Sequence, residues 1–301
     1  MLDIKDPKVA IPVVLIAGLF WSFGPYVVRH IDGAQQVPWQ YLFTRGIVIF
    51  AILNLFLYLE EGNEFLKNYT KIGISGLLGG AGLGIAMITF IYSITNTSAA
   101  VTLLCLAAMP FITALLGFLF LKETVSINVW IAIFIAAVGI LIMAIDNTNK
   151  NTIIGFVFGI ASSIGFSIFS ISLRWRKETP KYTTVAIAGV FCAIFSAIMI
   201  TTNDLNFLST GKNHALFATH GTLVCLGLIL YSIGSKNIPA AELTLLSLTE
   251  VIGGIFWVWL PILGINEIPN QSTVIGGFFI FVSIIYYSLI IRTNRRFIGL
   301  N

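Results

Sequence analysis

The chain has 301 residues, of which 57% are hydrophobic and only 10% charged, whereas an ordinary soluble domain carries roughly a quarter charged residues. The excess of apolar residues excludes a soluble globular fold. The net charge of +4 is dispersed among short loops and does not form the basic stripe that a nucleic-acid partner requires.

Stretches of roughly 20 apolar residues, each long enough to cross about 30 Å of hydrocarbon, fall near 9–29, 38–59, 71–94, 98–121, 126–146, 153–174, 183–202, 214–235, 239–263 and 273–292. The first follows Lys5 and Lys8, but it is long and no small-residue cleavage site follows it, so it reads as a retained span rather than a signal peptide. It contains Gly18-Leu19-Phe20-Trp21-Ser22, then Phe23 and Pro25. The second carries Arg45, about 10 Å beyond Pro38 along a helix. Gly76, Gly80 and Gly84 recur every fourth residue in the third span, as Gly155 and Gly159 do in the sixth. That spacing lets helices approach closely. Pro25 and Pro110 interrupt backbone hydrogen bonding in the first and fourth spans, which gives a kink that serves either gating or packing. Cys105, Cys192 and Cys225 lie inside spans and read as small core residues.

The cations sort by loop. With a cytoplasmic N-terminus, the inner segments hold Lys5, Lys8, Lys67, Lys71, Lys122, Arg174, Arg176, Lys177, Lys181, Lys236, Arg292, Arg295 and Arg296, whereas the outer loops hold only Arg29, Lys150 and Lys212. This is the positive-inside pattern, and it supports an even number of spans with both termini cytoplasmic.

A passage occurs twice. Asn96-Thr97-Ser98-Ala99-Ala100 opens an apolar run that ends at Glu123, and Asn237-Ile238-Pro239-Ala240-Ala241 opens another that ends at Glu267. Aligning Ala99 with Ala240 sets Met109 against Glu250 and Pro110 against Val251, and leaves a small insertion before Glu267, around Pro261-Ile262-Leu263-Gly264. Five spans precede the polar break at Asp146–Thr152 and five follow it. An odd count per half inverts the second copy relative to the first, the ground plan of many secondary transporters.

Leu119-Phe120-Leu121-Lys122-Glu123, with Ala108-Met109-Pro110-Phe111 before it and Val138-Gly139-Ile140 after it, resembles the fourth and fifth spans of EamA-type transporters in the drug/metabolite transporter superfamily. Leu248-Thr249-Glu250-Val251-Ile252-Gly253-Gly254 through Leu260, then Asn266-Glu267-Ile268-Pro269 and Ile275-Gly276-Gly277, resembles the ninth and tenth. Arg45 and the Gly18–Ser22 stretch also fit. The resemblance implies an all-α integral membrane protein of ten transmembrane helices in two inverted five-helix EamA repeats, residues 1–149 with spans 1–5 and residues 150–301 with spans 6–10. It also implies a central cavity and movement of small metabolites, often outward, across a bacterial inner membrane. The seventh span offers no counterpart to Arg45.

Glu250 is the leading candidate for a substrate-binding residue. It lies about 16 Å beyond Pro239 along the ninth helix, near the bilayer midplane. An acid there costs about 2.5–3.5 kcal/mol on insertion scales, so it faces a wet cavity, finds a partner or takes a proton. Glu242, Ser247, Thr249, Glu250, Gly253, Gly254 and Trp257 fall on one arc of the helix. Of these, Ser247, Thr249 and Trp257 join Glu250 as candidate substrate contacts, although the hydroxyls can instead bond their own backbone. The glycines suit close packing, and Glu242 suits the first helical turn, where the dipole favours a carboxylate. Trp21, Tyr92 and Tyr231 are candidates for walling the substrate through ring contacts, whereas Trp39, Trp130 and Trp175 suit the interfacial belt. Arg45 either snorkels to the outer interface or acts as a charge partner for Glu250 or for an anionic group of the substrate. His30 and His220, near span ends, read as solvated imidazoles.

No P-loop, paired-cysteine motif or His-Glu-x-x-His site is present, and Gly79-Gly80-Ala81-Gly82 lies inside a span rather than at a strand-to-helix turn. No cofactor and no metal are expected. A secondary carrier is the leading reading. The alternative is an intramembrane enzyme acting on a lipid-linked substrate, which would gather several catalytic groups at one interface. A channel would need repeated pore-lining rings from an oligomer. A lone cavity acid favours a zwitterionic or cationic solute, such as an amino acid, over a phosphate ester. Export by alternating access is the expected direction and mode, with the lipid bilayer as environment and protons as a candidate coupling ion.

Overall fold

The computed structural model describes residues 7–145, 152–176, 178–236, 238–268 and 270–297. The polar break at Asp146–Asn151, with the junction expected at residues 149 and 150, lies outside them, as do Lys5, Lys177, Asn237 and Pro269. The side chains of Arg292, Arg295 and Arg296 are likewise outside the description.

All the regular structure among the described residues is helical. The ten apolar helices are α1 (Pro7–Arg29), α2 (Pro38–Glu61), α3 (Gly73–Asn96), α4 (Ala99–Leu121), α5 (Ile127–Ile145), α6 (Thr152–Trp175), α7 (Lys181–Thr202), α8 (Gly211–Gly234), α9 (Ala240–Trp259) and α10 (Gln271–Phe297). Eight are long and apolar enough to cross a membrane, and α5 and α10 contribute shorter apolar stretches, Ile127–Ile142 and Val274–Leu289. The outward faces carry large apolar side chains, among them Leu55, Leu59, Phe118, Phe134 and Leu141. In lipid such faces cost nothing, whereas in water they would drive aggregation.

The helices pair in a regular way. α1 packs on α8 and α9, α3 on α6 and α7, α2 on α7 and α8, α4 on α6 and α9, and α5 on α10. Glycine sets the closest approaches. A Cβ on Gly46 of α2 would stand 2.6 Å from the Gly189 carbonyl oxygen of α7, and one on Gly189 would stand 2.8 Å from that of Gly46. The same mutual fit joins Gly82 of α3 to Gly165 of α6, where the two distances are 2.9 and 2.5 Å. Gly76, Gly80 and Gly84 form a second small face on α3 that receives Thr184, Ile187 and Phe191 of α7. Backbones packed this closely gain dispersion contacts that a larger side chain would forfeit.

Two helices break near mid-span. In α4 an eight-residue segment, Ala99–Leu106, gives way to Met109–Leu116. Ala107 and Ala108 bond three residues back, to Leu104 (3.2 Å) and Cys105 (3.1 Å), and Pro110 has no N–H to continue the ladder. The apolar stretch near 239–263 does not form one helix. Instead Ala240–Leu246 and Thr249–Trp259 are separate segments, and Pro261–Leu263 forms a 3-10 turn. No proline causes this break. Ser247 turns its hydroxyl onto the Thr244 carbonyl at 2.8 Å, and the Leu248, Glu250 and Val251 amides bond three residues back at 2.9–3.2 Å, a local tightening of the helix.

Candidate functional site

The breaks in α4 and α9 meet at a cavity of ≈ 70 Å³, several times the 10–15 Å³ or so that one water needs. Most of its wall is apolar. Leu83 and Phe90 come from α3, Leu106 and Met109 from α4, Phe166 from α6 and Leu228 from α8. The polar and ionisable groups in the wall are Trp21, Arg45, Ser162, His220 and Glu250.

Glu250 sits in the first turn of the second α9 segment, at the eleventh residue of a 20-residue span and so close to mid-membrane. It is 9% exposed. Among the described residues its carboxylate makes no ion pair and receives no hydrogen bond. Its own amide bonds the Ser247 carbonyl at 2.9 Å.

Arg45 is 1% exposed, which overturns the snorkelling expectation. Its Nη2 donates to the Met87 carbonyl at 2.9 Å, its guanidinium carbon lies 5.5 Å from the centre of the Tyr41 ring, and the Cys192 thiol lies beside it. Its Nε has no hydrogen-bond partner, and no carboxylate among the described residues pairs with it. A buried cation held in this way is costly unless something completes its shell. Arg45 and Glu250 therefore share one cavity without neutralising each other.

His220 also differs from expectation. It is the tenth residue of α8, 2% exposed, with its ring Nδ1 in a hydrogen bond to the Tyr41 hydroxyl. The packing of α8 on α2 buries it, and its position in the chain alone gives no sign of this. His30 fits its interfacial reading, half-buried at the end of α1 with Nδ1 2.9 Å from the Tyr26 carbonyl.

The structure separates the other candidates. Trp21 lines the cavity, donates from Nε1 to the Val224 carbonyl at 3.2 Å, and meets Phe166 edge-on with centroids 5.4 Å apart. Tyr231 stands behind it, fully buried, with its ring 5.4 Å from Trp21 and its hydroxyl 2.7 Å from Ser170 Oγ. Trp257 lies outside the wall, stacked on Phe23 at 4.6 Å and donating to Ser22 Oγ at 2.8 Å. Ser247 and Thr249 turn their hydroxyls onto backbone carbonyls, Thr249 reaching Leu246 at 3.1 Å and Leu15 at 3.4 Å. They serve the α9 break and the α1–α9 seam rather than the wall. Tyr92 packs between Trp39 (5.1 Å) and Phe158 (5.3 Å), away from the cavity. Glu242 accepts a hydrogen bond from Tyr287, a structural tie between α9 and α10. Among the described residues no three His, Cys, Asp or Glu side chains converge as a metal site would require.

Comparison with known proteins agrees with this architecture. Residues 8–145 match the EamA-like transporter family. An uncharacterized transporter of Helicobacter pylori (strain J99) is 25% identical over 257 residues, covering 82% of this chain and 84% of its own. The pseudopaline exporter CntI of Pseudomonas aeruginosa (strain PAO1) is 24% identical over 214 residues, covering 69% of this chain and 72% of its own. A solved structure described as "Crystal structure of protein" superposes with a TM-score of 0.75 at 16% identity, over 96% of this chain and 99% of that one. At that identity the likeness speaks to fold alone.

Proposed function

We propose that this chain, an EamA-type transporter of the drug/metabolite transporter superfamily and a multi-pass integral membrane protein, exports a small zwitterionic metabolite such as an amino acid. The observation that carries the proposal is that Glu250 and Arg45 line one cavity and, among the described residues, make no ion pair with each other. A simple cation suits Glu250 but meets Arg45, and a simple anion suits Arg45 but meets Glu250. A dipolar ion satisfies both. Its ammonium group goes to Glu250, its carboxylate goes to the guanidinium, which is built for planar recognition of that group, and an apolar side chain lies against Phe90, Leu106 and Leu228.

The mode we propose is alternating access between two inverted repeats, residues 1–149 and 150–301, with both termini cytoplasmic in a bacterial inner membrane. Reciprocal helix pairing supports the repeats. α1 on α8 answers α6 on α3, and the α2–α7 and α5–α10 pairs each answer themselves. The outward direction follows the name of the pseudopaline exporter relative, and protons are the coupling ion we assign.

Counterflow in proteoliposomes tests the reading. The wild type is expected to exchange labelled amino acids and to respond to an imposed proton gradient. Glu250→Gln is expected to lose about 10–150-fold in apparent affinity, the worth of a charge-assisted hydrogen bond, together with the gradient response. Unchanged affinity and unchanged gradient response in Glu250→Gln would remove Glu250 from the site. Absence of flux with turnover of a lipid-linked substrate would replace the carrier by an enzyme.

A further inference from the structure

Two arginine clamps stand at opposite ends of the helix bundle. At the end of α1, Arg29 donates from Nη1 to the Ile94 carbonyl at 3.0 Å, from Nη2 to the Thr97 carbonyl at 2.9 Å, and from Nε to Glu267 Oε2 at 3.2 Å. At the end of α6, Arg174 donates from Nη1 to the Ser235 and Ile238 carbonyls at 3.2 and 2.8 Å, and from Nε to Glu123 Oε1 at 2.7 Å. The correspondence is residue by residue. Arg29 and Arg174 are each the twenty-third residue of their helices. The offset that sets Ala99 against Ala240 carries Ile94 onto Ser235 and Thr97 onto Ile238. It also carries Gly117 onto Val258, and these two carbonyls receive the backbone amides of Glu123 (3.2 Å) and Glu267 (2.8 Å). The extra residues of the second copy are taken up by the 3-10 turn at Pro261–Leu263 and the left-handed Gly264 and Asn266. Both glutamates are thereby held at matching places despite the insertion.

Each clamp crosses between the halves of the chain through its glutamate: Glu267 pairs with Arg29 and also accepts the Ala99 backbone N–H at 3.1 Å, whereas Glu123 pairs with Arg174. The carbonyl bonds of Arg29 stay within the first half and its glutamate belongs to the second, whereas for Arg174 the reverse holds. Because α1 starts on the face of the N-terminus and the helices alternate in direction, Arg29–Glu267 closes the face opposite the termini and Arg174–Glu123 closes the face of the termini. Both are made in this structure, with all four side chains about a quarter exposed, within reach of water once the helices part.

We infer that Arg29–Glu267 and Arg174–Glu123 are paired latches that hold the two faces shut, and that a transport cycle breaks one while keeping the other. This rests on the carrier reading but on no particular substrate. The latch residues are positioning residues, since they touch the helix ends and not the cavity.

The test measures access to the cavity rather than flux. In full-length protein with Cys105, Cys192 and Cys225 replaced by serine or alanine, Ser162→Cys in the cavity wall is labelled by a membrane-impermeant maleimide in right-side-out and inside-out vesicles. Glu267→Gln is expected to speed labelling about fivefold or more from the face opposite the termini alone, and Glu123→Gln to do so from the face of the termini alone. The double variant is expected to label from both. Glutamine retains the acceptor oxygen, and thermal melting in detergent checks that each variant folds. If either variant melts early, Glu267→Asp and Glu123→Asp, which keep the charge, are expected to restore slow labelling. Equal acceleration from both faces by a single variant, or no acceleration in a folded one, overturns the latches. Normal face-selective labelling with no flux of any amino acid would uphold the latches and remove the substrate proposal, so the two stand or fall separately.

Discussion

Replacing Arg45 with methionine keeps most of the side chain's length and removes its charge and donors. This guanidinium has one carbonyl partner, Met87, a ring face, Tyr41, the Cys192 thiol beside it, and an Nε with no partner. An uncompensated buried charge costs several kcal/mol, so replacing it by an apolar group of similar volume is neutral or stabilising by about 1–4 kcal/mol. The lost Met87 bond removes about 0.5–1.5 kcal/mol of that, and more if its charged donor counts fully. Arg45→Met is therefore expected to melt no lower than the wild type. Binding should change in the opposite sense. A substrate carboxylate that gains one charge-assisted bond from Arg45 loses about 1.5–3 kcal/mol, which is about 10–150-fold in affinity. A probe without the carboxylate loses nothing and is relieved of repulsion. Competition in proteoliposome counterflow, with leucine and its decarboxylated amine as probes, reads both effects. The expected result is a reversal in which leucine weakens and the amine holds or tightens. Equal weakening of both probes, or a lowered melting temperature with leucine affinity intact, would show that Arg45 braces α2 against α3 and has no contact with substrate.

The helix seams give a paired stability prediction: a Cβ on Gly165 would lie 2.5 Å from the Gly82 carbonyl oxygen, whereas one on Gly277 would meet nothing within 4 Å. Gly165→Ala should cost about 1–3 kcal/mol by overpacking and lower the melting temperature in detergent, while Gly277→Ala should be neutral or stabilising by about 0.5–1 kcal/mol through helix propensity; a neutral Gly165→Ala would mean the α3–α6 seam yields more than backbone packing permits. Met109 occupies the position that aligns with Glu250 and lies in the same wall, so the exchange Met109→Glu/Glu250→Met keeps one acid in the cavity. Its affinity for leucine should recover at least tenfold over Glu250→Met alone in counterflow, and no recovery would mean that the acid works only from α9.

Much of this fold is legible in the sequence because a membrane simplifies the reading. Apolar length gives the spans, with edges displaced by a few residues, and Pro110 marks the break in α4. The break in α9 leaves no such mark, since Ser247 and Leu248 are ordinary helical residues and the tightening comes from a hydroxyl competing for a carbonyl. Glu250 is legible because an acid at mid-membrane demands an explanation. Arg45 and His220 are legible as residues but not as neighbours, because their burial depends on which face of α2 meets α8. Ser247, Thr249 and Trp257 share an arc with Glu250, yet the helix break and the seam with α1 divert them from the wall. Arg29, Arg174, Glu123 and Glu267 look like common interfacial charges, and only contacts spanning 238 and 51 residues bring them together.

The latches and the cavity divide the work between symmetry and its absence. The clamps repeat carbonyl for carbonyl, as two faces that must close by the same motion would require. Near the midplane the repetition fails where charge is concerned. Arg45 precedes Gly46, and the glycine facing it, Gly189, is preceded by Ala188, while Glu250 stands where the first copy has Met109. Trp21 and Phe166, each the fifteenth residue of its helix, keep the match in shape and meet edge to face. The walls can thus be built twice from apolar residues, but a dipolar solute has two unlike ends and needs unlike partners. A strictly repeated acid would present two carboxylates to one ammonium group, and a strictly repeated arginine two cations to one carboxylate. In the proposed cycle, one charge in each half lets the motion that opens a face separate the pair across the substrate, loosening its hold as the cavity opens.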